Sequence, residues 1–248
     1  MSRASRVLKT TGRIVKLIVA LVIGLVIGLL AWRLTADKTP RSMTTLTVND
    51  PLYTAYCNGG ESLTLYTQEQ NTITRAEHNA GYFSVLEDVL IPEANQIQLV
   101  FRYNDSTIRA LAKDKNLAEV PPRDAELYDV TLLLGIDLTP DDLSDNSGND
   151  PKSVRFVRVH AVSEPTVERT QLHNYRRFVF DLDQSGEDLA SLMESGLLLS
   201  IFVDVYYNQE IDYQSDPYGV LCIYDYKTKT EEVKLTRHDR KAFADYGG

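Results

Sequence analysis

Sixteen consecutive uncharged residues, Leu17 to Trp32 (LIVALVIGLVIGLLAW), follow a tail that carries Arg3, Arg6, Lys9, Arg13 and Lys16 and no acid. A helix this apolar has no polar face to turn toward water, so it belongs inside protein or inside lipid. At about 1.5 Å per residue the run reaches ~24 Å, slightly short of a ~30 Å hydrocarbon core. Ile14 and Val15 extend it, Lys16 snorkels toward headgroups, and Trp32 suits the opposite interface. The expectation is a basic tail over 1–13, one transmembrane helix over 14–32 and a polar stalk over 33–45. A cleavable signal peptide has a shorter apolar region and small residues at its cleavage site. Here the only such site, Leu34-Thr35-Ala36, begins with leucine.

Five cations precede the run, and Arg33, Lys38 and Arg41 follow it. Positive charge stays on the cytoplasmic side, which places the N-terminus inside the cell and the rest of the chain outside. Gly24 and Gly28 form a G-x-x-x-G pair, with Ala20 one turn earlier. Small residues four apart let two helix backbones meet, so homodimerisation through this helix is expected.

The formal charge of −9 conceals two objects. Through Arg33 there are six basic residues and no acid; from Leu34 onward 20 basic residues face 35 acidic ones, a net −15. A domain of that sign does not neutralise phosphates, which argues against a nucleic-acid partner. It is repelled by anionic surfaces and favours basic partners.

Beyond the stalk, apolar residues recur mostly with period two, in short runs bounded by Gly, Pro, Asn and Asp. Strands are expected at 45–48, 63–66, 72–75, 83–90, 97–103, 128–138, 154–162, 178–182, 197–207, 220–226 and 232–235. Residues 227–231 read as a hairpin between the last two. Helical signals are confined to 105–112 and 186–194. Without strand–helix alternation the fold class is mainly β: an antiparallel sandwich over 46–248, of jelly-roll or immunoglobulin-like kind, with one or two short helices. The order strand, helix, strand, loop, strand occurs twice, from Ile97 and from Phe178. Identities are sparse and the offset drifts from about 80 to about 65 residues, so chance ordering is the simpler account.

Chemical motifs are scarce. Phe178-Val-Phe-Asp181-Leu-Asp183-Gln-Ser185 resembles the first motif of the haloacid-dehalogenase-like phosphatases, which would make Asp181 a nucleophile and Asp183 its acid/base partner. That family needs an α/β domain after the motif, and the 63 residues that follow Ser185 read as strands, so the segment is a strand ending in a polar turn. The acidic loop 139–150 does not fit EF-hand spacing: aligning Gly148 puts Leu143 and Val154 at ligand positions. His78, His160, His173 and His238 have no zinc-site spacing. No metal, no cofactor and no catalytic residue is assigned, and a non-catalytic module is favoured over an envelope hydrolase with acids placed by the fold.

Cys57 and Cys222 lie near the two ends of the outer domain and form a candidate disulfide there, worth about 2–4 kcal/mol if closed. Six of the fourteen tyrosines fall within twenty-one residues: Tyr206, Tyr207, Tyr213, Tyr218, Tyr224 and Tyr226. Tyrosine joins a flat apolar face to a hydroxyl, so this region is the expected binding surface for an envelope protein or a glycan. Asn104-Asp105-Ser106 fits a glycosylation acceptor.

Overall fold

A computed structural model of the chain describes residues 16, 18–32, 38–68, 83–138, 154–227 and 229–248. It divides into two compact units, Met1–Thr39 with Thr170–Leu172, and Pro40–Arg169 with His173–Gly248. In the first, residues 18–32 form helix α1. Its apolar side chains are exposed all round, from Ile18 (56%) and Leu21 (62%) to Trp32 (50%). At about 1.5 Å per residue α1 is about 22 Å long. Among the described residues no helix is long and apolar enough to cross a membrane. Ile14, Val15 and Leu17 of the expected span lie outside them.

In the second unit the period-two runs become strands β1 (Leu65–Gln68), β2 (Ser84–Ile91), β3 (Gln96–Asn104), β4 (Tyr128–Asp137), β5 (Val154–His160), β6 (Thr166–Arg169), β7 (His173–Asp181), β8 (Leu198–Tyr207), β9 (Gly219–Asp225) and β10 (Thr230–Val233). Helices α2 (Asp50–Asn58), α3 (Asp105–Asp114), α4 (Leu189–Glu194) and α5 (Arg237–Gly247) complete it. Two antiparallel sheets result, a six-stranded one in the order β10-β1-β2-β3-β7-β6 and a four-stranded one in the order β5-β4-β8-β9. Their facing side chains form the main core. Val85, Ile97, Leu99, Phe101, Phe178 and Phe180 come from one sheet, and Val130, Leu132, Leu134, Ile201, Val203 and Ile223 from the other. Each contributes about 1.5–3 kcal/mol by leaving water.

The chain is thus mainly β and sandwich-like, with four differences from the sequence expectation. Six strands over four is neither the four-plus-three arrangement of an immunoglobulin domain nor the eight strands of a jelly roll. The hairpin over 227–231 is not formed, because β9 pairs with β8 while β10 pairs with β1 in the other sheet. The expected strand 45–48 has no ladder partner, and 72–75 lies outside the described residues. Strand β6 and helices α2 and α5 are additions.

The repeated order of elements has a structural basis. β2-β3-α3-β4-β5 and β6-β7-α4-β8-β9 run through the same succession. β3 pairs β7 over nine positions, from Gln96↔Asp181 to Asn104↔His173, and β4 pairs β8 from Tyr128↔Tyr207 to Ile136↔Leu198. β2 and β6 flank the first pair; β5 and β9 flank the second. The strand order of the two halves is therefore related by an approximate two-fold. β1 and β10 break the symmetry at the outer edge of β2.

The outward face of the six-stranded sheet is roofed by both ends of this unit. Asn49 caps α2, accepting from Leu52 N at 3.2 Å, with Pro51 in the first turn. Thr236 and Asp239 form a capping box at α5. The two helices meet through Tyr56 stacked on Phe243 at 4.1 Å. Beneath them Leu52, Leu65, Val89, Ile91 and Phe243 form a second core. The incoming segment is gripped by side chains. Thr47 N donates to Gln98 Oε1 (2.9 Å), and Gln98 Nε2 donates to Thr47 O (2.8 Å), as a neighbouring strand would. Arg177, 2% exposed, donates to Met43 O (2.7 Å) and Glu87 Oε2 (2.9 Å).

Candidate functional site

β1 pairs with β10 along all four of its residues, but on its other edge it shares a single register pair with β2, Tyr66↔Leu90. Where they part, a cleft of about 570 Å³ opens, lined by Thr67, Glu87, Asp88, Lys234 and Asp239 among others. Three carboxylates border it, and two have structural duties. Glu87 holds Arg177; burial raises its pKa, with the guanidinium working against that. Asp239 accepts from Leu46 N (2.8 Å) and Thr236 N (2.8 Å), tying the incoming segment to α5. Asp88 is uncommitted. It accepts from the backbone of Gln68, yet burial outweighs this and pushes its pKa up to about 7. Its Oδ2 is buried with no partner among the described residues. Asp88 is therefore a cleft carboxyl able to gain or lose a proton near neutrality. Two-carboxylate hydrolysis needs a second free acid. Among the described residues no three His, Cys, Asp or Glu side chains are grouped to hold a metal ion.

The outward face of the four-stranded sheet differs from its counterpart: among the described residues no helix is packed over it. Odd-numbered residues of β4 point to it, because the even ones enter the main core. Register then aligns Leu133 with Arg158 and Phe202, Thr131 with His160 and Asp204, and Gly135 with Phe156. Phe156 is 57% exposed and its ring lies across Gly135, within 3.4 Å of where a Cβ would stand. Beside it, Arg158 donates to Thr131 Oγ1 (3.1 Å), Asp204 Oδ2 (3.0 Å) and Tyr206 OH (2.5 Å). The guanidinium also lies 5.4 Å from the Tyr206 ring centroid and 5.8 Å from that of Tyr213. Burial raises the Asp204 pKa, and Arg158 opposes the rise. Tyr213 donates to Asp129 Oδ2 (2.5 Å), and burial followed by this bond pushes its pKa up to about 12. The result is a charge-compensated cluster bordering the exposed Phe156 and the half-buried Leu133 and Phe202.

The six tyrosines do not form one surface. Alternation along β8 sends Tyr207 into the main core and Tyr206 to the outward face, where Arg158 and Tyr213 cover it; they are 4% and 2% exposed. Tyr218 packs against Phe83 and Tyr128 and donates to Asp114 at 2.9 Å. Tyr224 is half-buried against the main core. Only Tyr226 is largely open, at 55%, with Lys227 over its ring. The predicted binding surface is thereby reduced to Tyr213 and its Arg158 cluster. Arg158 and Phe156 went unnoticed, although the alternation of β5 sets both on the same face as Tyr206.

The candidate disulfide is not made. Cys57 is an exposed free thiol on α2, whereas Cys222 is buried on β9, donating to Tyr224 O at 3.2 Å. Gly24 and Gly28 have open space where side chains would stand, and Ala20 is exposed on the same helix. Asp181 caps a 3-10 turn, accepting from Asp183 N, and Asp183 accepts from Asn95 Nδ2 at 2.5 Å; neither faces a cavity described above. Asn104 of the glycosylation pattern caps α3. The acidic loop 139–150 and His78 lie outside the described residues, and His160 packs edge-on against Tyr213 at 4.7 Å. Compared with protein-family models, with curated proteins and with solved structures, the chain matches none.

Proposed function

We propose that this chain is a membrane-anchored, non-catalytic binding module whose uncovered sheet face takes a protein partner outside the cell. The anchor reading rests on the apolar run over 14–32 with its five preceding cations, and on α1, whose apolar side chains point outward on every side. Such a surface is stable in lipid and costly in water. The binding reading rests on the contrast between the two sheets. The six-stranded sheet buries its outward face under the chain's own segments; the four-stranded sheet, among the described residues, leaves Phe156 exposed and Leu133 and Phe202 half-buried. An apolar centre beside ordered aromatic and arginine side chains is the composition of protein-contact surfaces. A glycan platform draws on stacking aromatics, and Tyr226 is the one widely exposed tyrosine of the six.

The test is a photo-crosslinking amino acid at position 156 in the full chain, in its own membrane, with position 232 on the exposed edge of β10 as control. A discrete adduct from 156 that is missing from 232, and lost on adding Phe202→Asp, is expected. Equal labelling from both positions refutes the assignment. Extraction of the chain by alkaline carbonate refutes the anchor independently. A carboxylate-based envelope hydrolase is the second reading, favoured by the proton-binding Asp88 in a cleft. It ranks lower because Glu87 and Asp239 are committed to Arg177 and to the α5 cap.

A further inference from the structure

We propose that Arg41, Arg237, His238 and Lys241 form a docking site for the phosphate groups of anionic lipids, laying the domain against the membrane that anchors it. The inference rests on the anchoring reading above. These four side chains, from two segments nearly two hundred residues apart, line one recess of about 650 Å³. All four residues are exposed. None shares an ion pair or side-chain hydrogen bond with a described residue, unlike Arg155, Arg158 and Arg177, each bound to a carboxylate. Two acids close to these residues have hydrogen-bond partners. Asp239 is buried and occupied by Leu46 N and the Thr236 cap, and Glu168 accepts from Ser42 Oγ at 3.0 Å.

A domain carrying −15 from Leu34 onward leaves three cations, Arg41, Arg237 and Lys241, without an ion pair to a described residue, and an anionic ligand supplies the counter-charge. At physiological salt, charge is felt over about 8 Å, so the groups around the recess, rather than the net charge of the domain, set its local field. Its position in the chain selects the source. The turn Arg41–Thr44 is the first element of the domain after α1, and the eight linking residues 33–40 span at most about 28 Å. Arg41 is therefore tied to the end of the anchor by no more than that length of chain. Each cation near an anionic bilayer surface shifts the docking equilibrium about fivefold.

The full chain is reconstituted in vesicles of phosphatidylcholine alone or mixed with phosphatidylglycerol. A dye on Cys57, the exposed thiol of α2, transfers energy to an acceptor on the headgroups. Higher transfer in the mixed vesicles, falling with salt and about twentyfold weaker in docking equilibrium for Arg237→Gln/Lys241→Gln, is the expected result. Far-UV circular dichroism shows that the double variant keeps the strands. Equal transfer in both vesicle types overturns the proposal, as does a double variant that behaves like the parent. If inorganic phosphate releases the domain where sodium chloride of equal ionic strength does not, the recess is a site for free phosphate and the headgroup assignment is overturned. Loss of the chain from vesicles under alkaline carbonate sinks the anchoring reading. Retention without lipid dependence sinks this proposal alone.

Discussion

Replacing Asp88 by asparagine isolates the one carboxyl in the cleft without a structural duty. Burial lifts its pKa from 3.8 to about 7, so its charged form is less favourable in the folded chain than in the unfolded one. The sign follows: below about pH 4 the group is protonated in both states and contributes nothing. As pH rises through 7 the folded state must hold a charge that the unfolded state holds more readily. At 1.36 kcal/mol per pH unit the full penalty is about 4 kcal/mol, and water entering the open cleft reduces it to about 2–4 kcal/mol. Asp88→Asn removes that penalty. Its new amide hydrogen atoms stand where Oδ2 has no described partner, which costs about 1–3 kcal/mol at every pH. The readout is therefore the pH dependence of the difference. Urea unfolding of the full chain in mild detergent, followed by far-UV circular dichroism, should show the variant gaining about 2–4 kcal/mol on the parent between pH 4 and pH 8. A difference that stays flat across that range refutes a proton-binding Asp88. It would also remove the observation behind the hydrolase reading.

Arg177→Met leaves Glu87, Gln98 Oε1 and Met43 O without their buried donor, and should cost about 3–5 kcal/mol by the same unfolding assay. Adding Glu87→Gln should recover part of the loss, and full additivity of the two changes would argue against the pair. A thiol reagent should modify Cys57 in the native chain within the dead time of mixing, and Cys222 only as the chain unfolds. Burial raises the Cys222 pKa as well as hiding it. Two thiols reacting together in the native protein, or none, would contradict the arrangement.

Strands whose apolar residues alternate were legible because period two is a local property. Eight expected runs lie within two residues of β1, β2, β3, β4, β5, β8, β9 and β10. Helix α3 was legible through Asp105-Ser-Thr and the apolar residues that follow, although its cap is Asn104, one residue earlier. Helices α2 and α5 carried caps in plain view, Asn49-Asp50-Pro51 and Thr236-x-x-Asp239. Both are short, and α5 is largely charged, so periodicity alone did not lift them out. The segment 45–48 alternates like a strand, but its partner is the Gln98 amide and not a backbone, which no local pattern reveals. The tyrosine cluster misled for a related reason. Closeness in sequence is not closeness on a surface when β8 turns successive side chains to opposite faces.

What this sequence determined by itself is the division of labour along the chain. Charge sign and hydropathy are sums over neighbours, so the basic tail, the apolar run, the acidic body and its β character are properties of composition and period. Only the tertiary structure decided which strands share a sheet, that two halves meet about a two-fold, and which outward face is roofed. It also decided that Arg158 and Arg177 are bound to carboxylates while Arg41, Arg237 and Lys241 face no described acid. Those outcomes depend on contacts between residues far apart in the chain. Their stability arises from burial and desolvation that no stretch of sequence carries on its own.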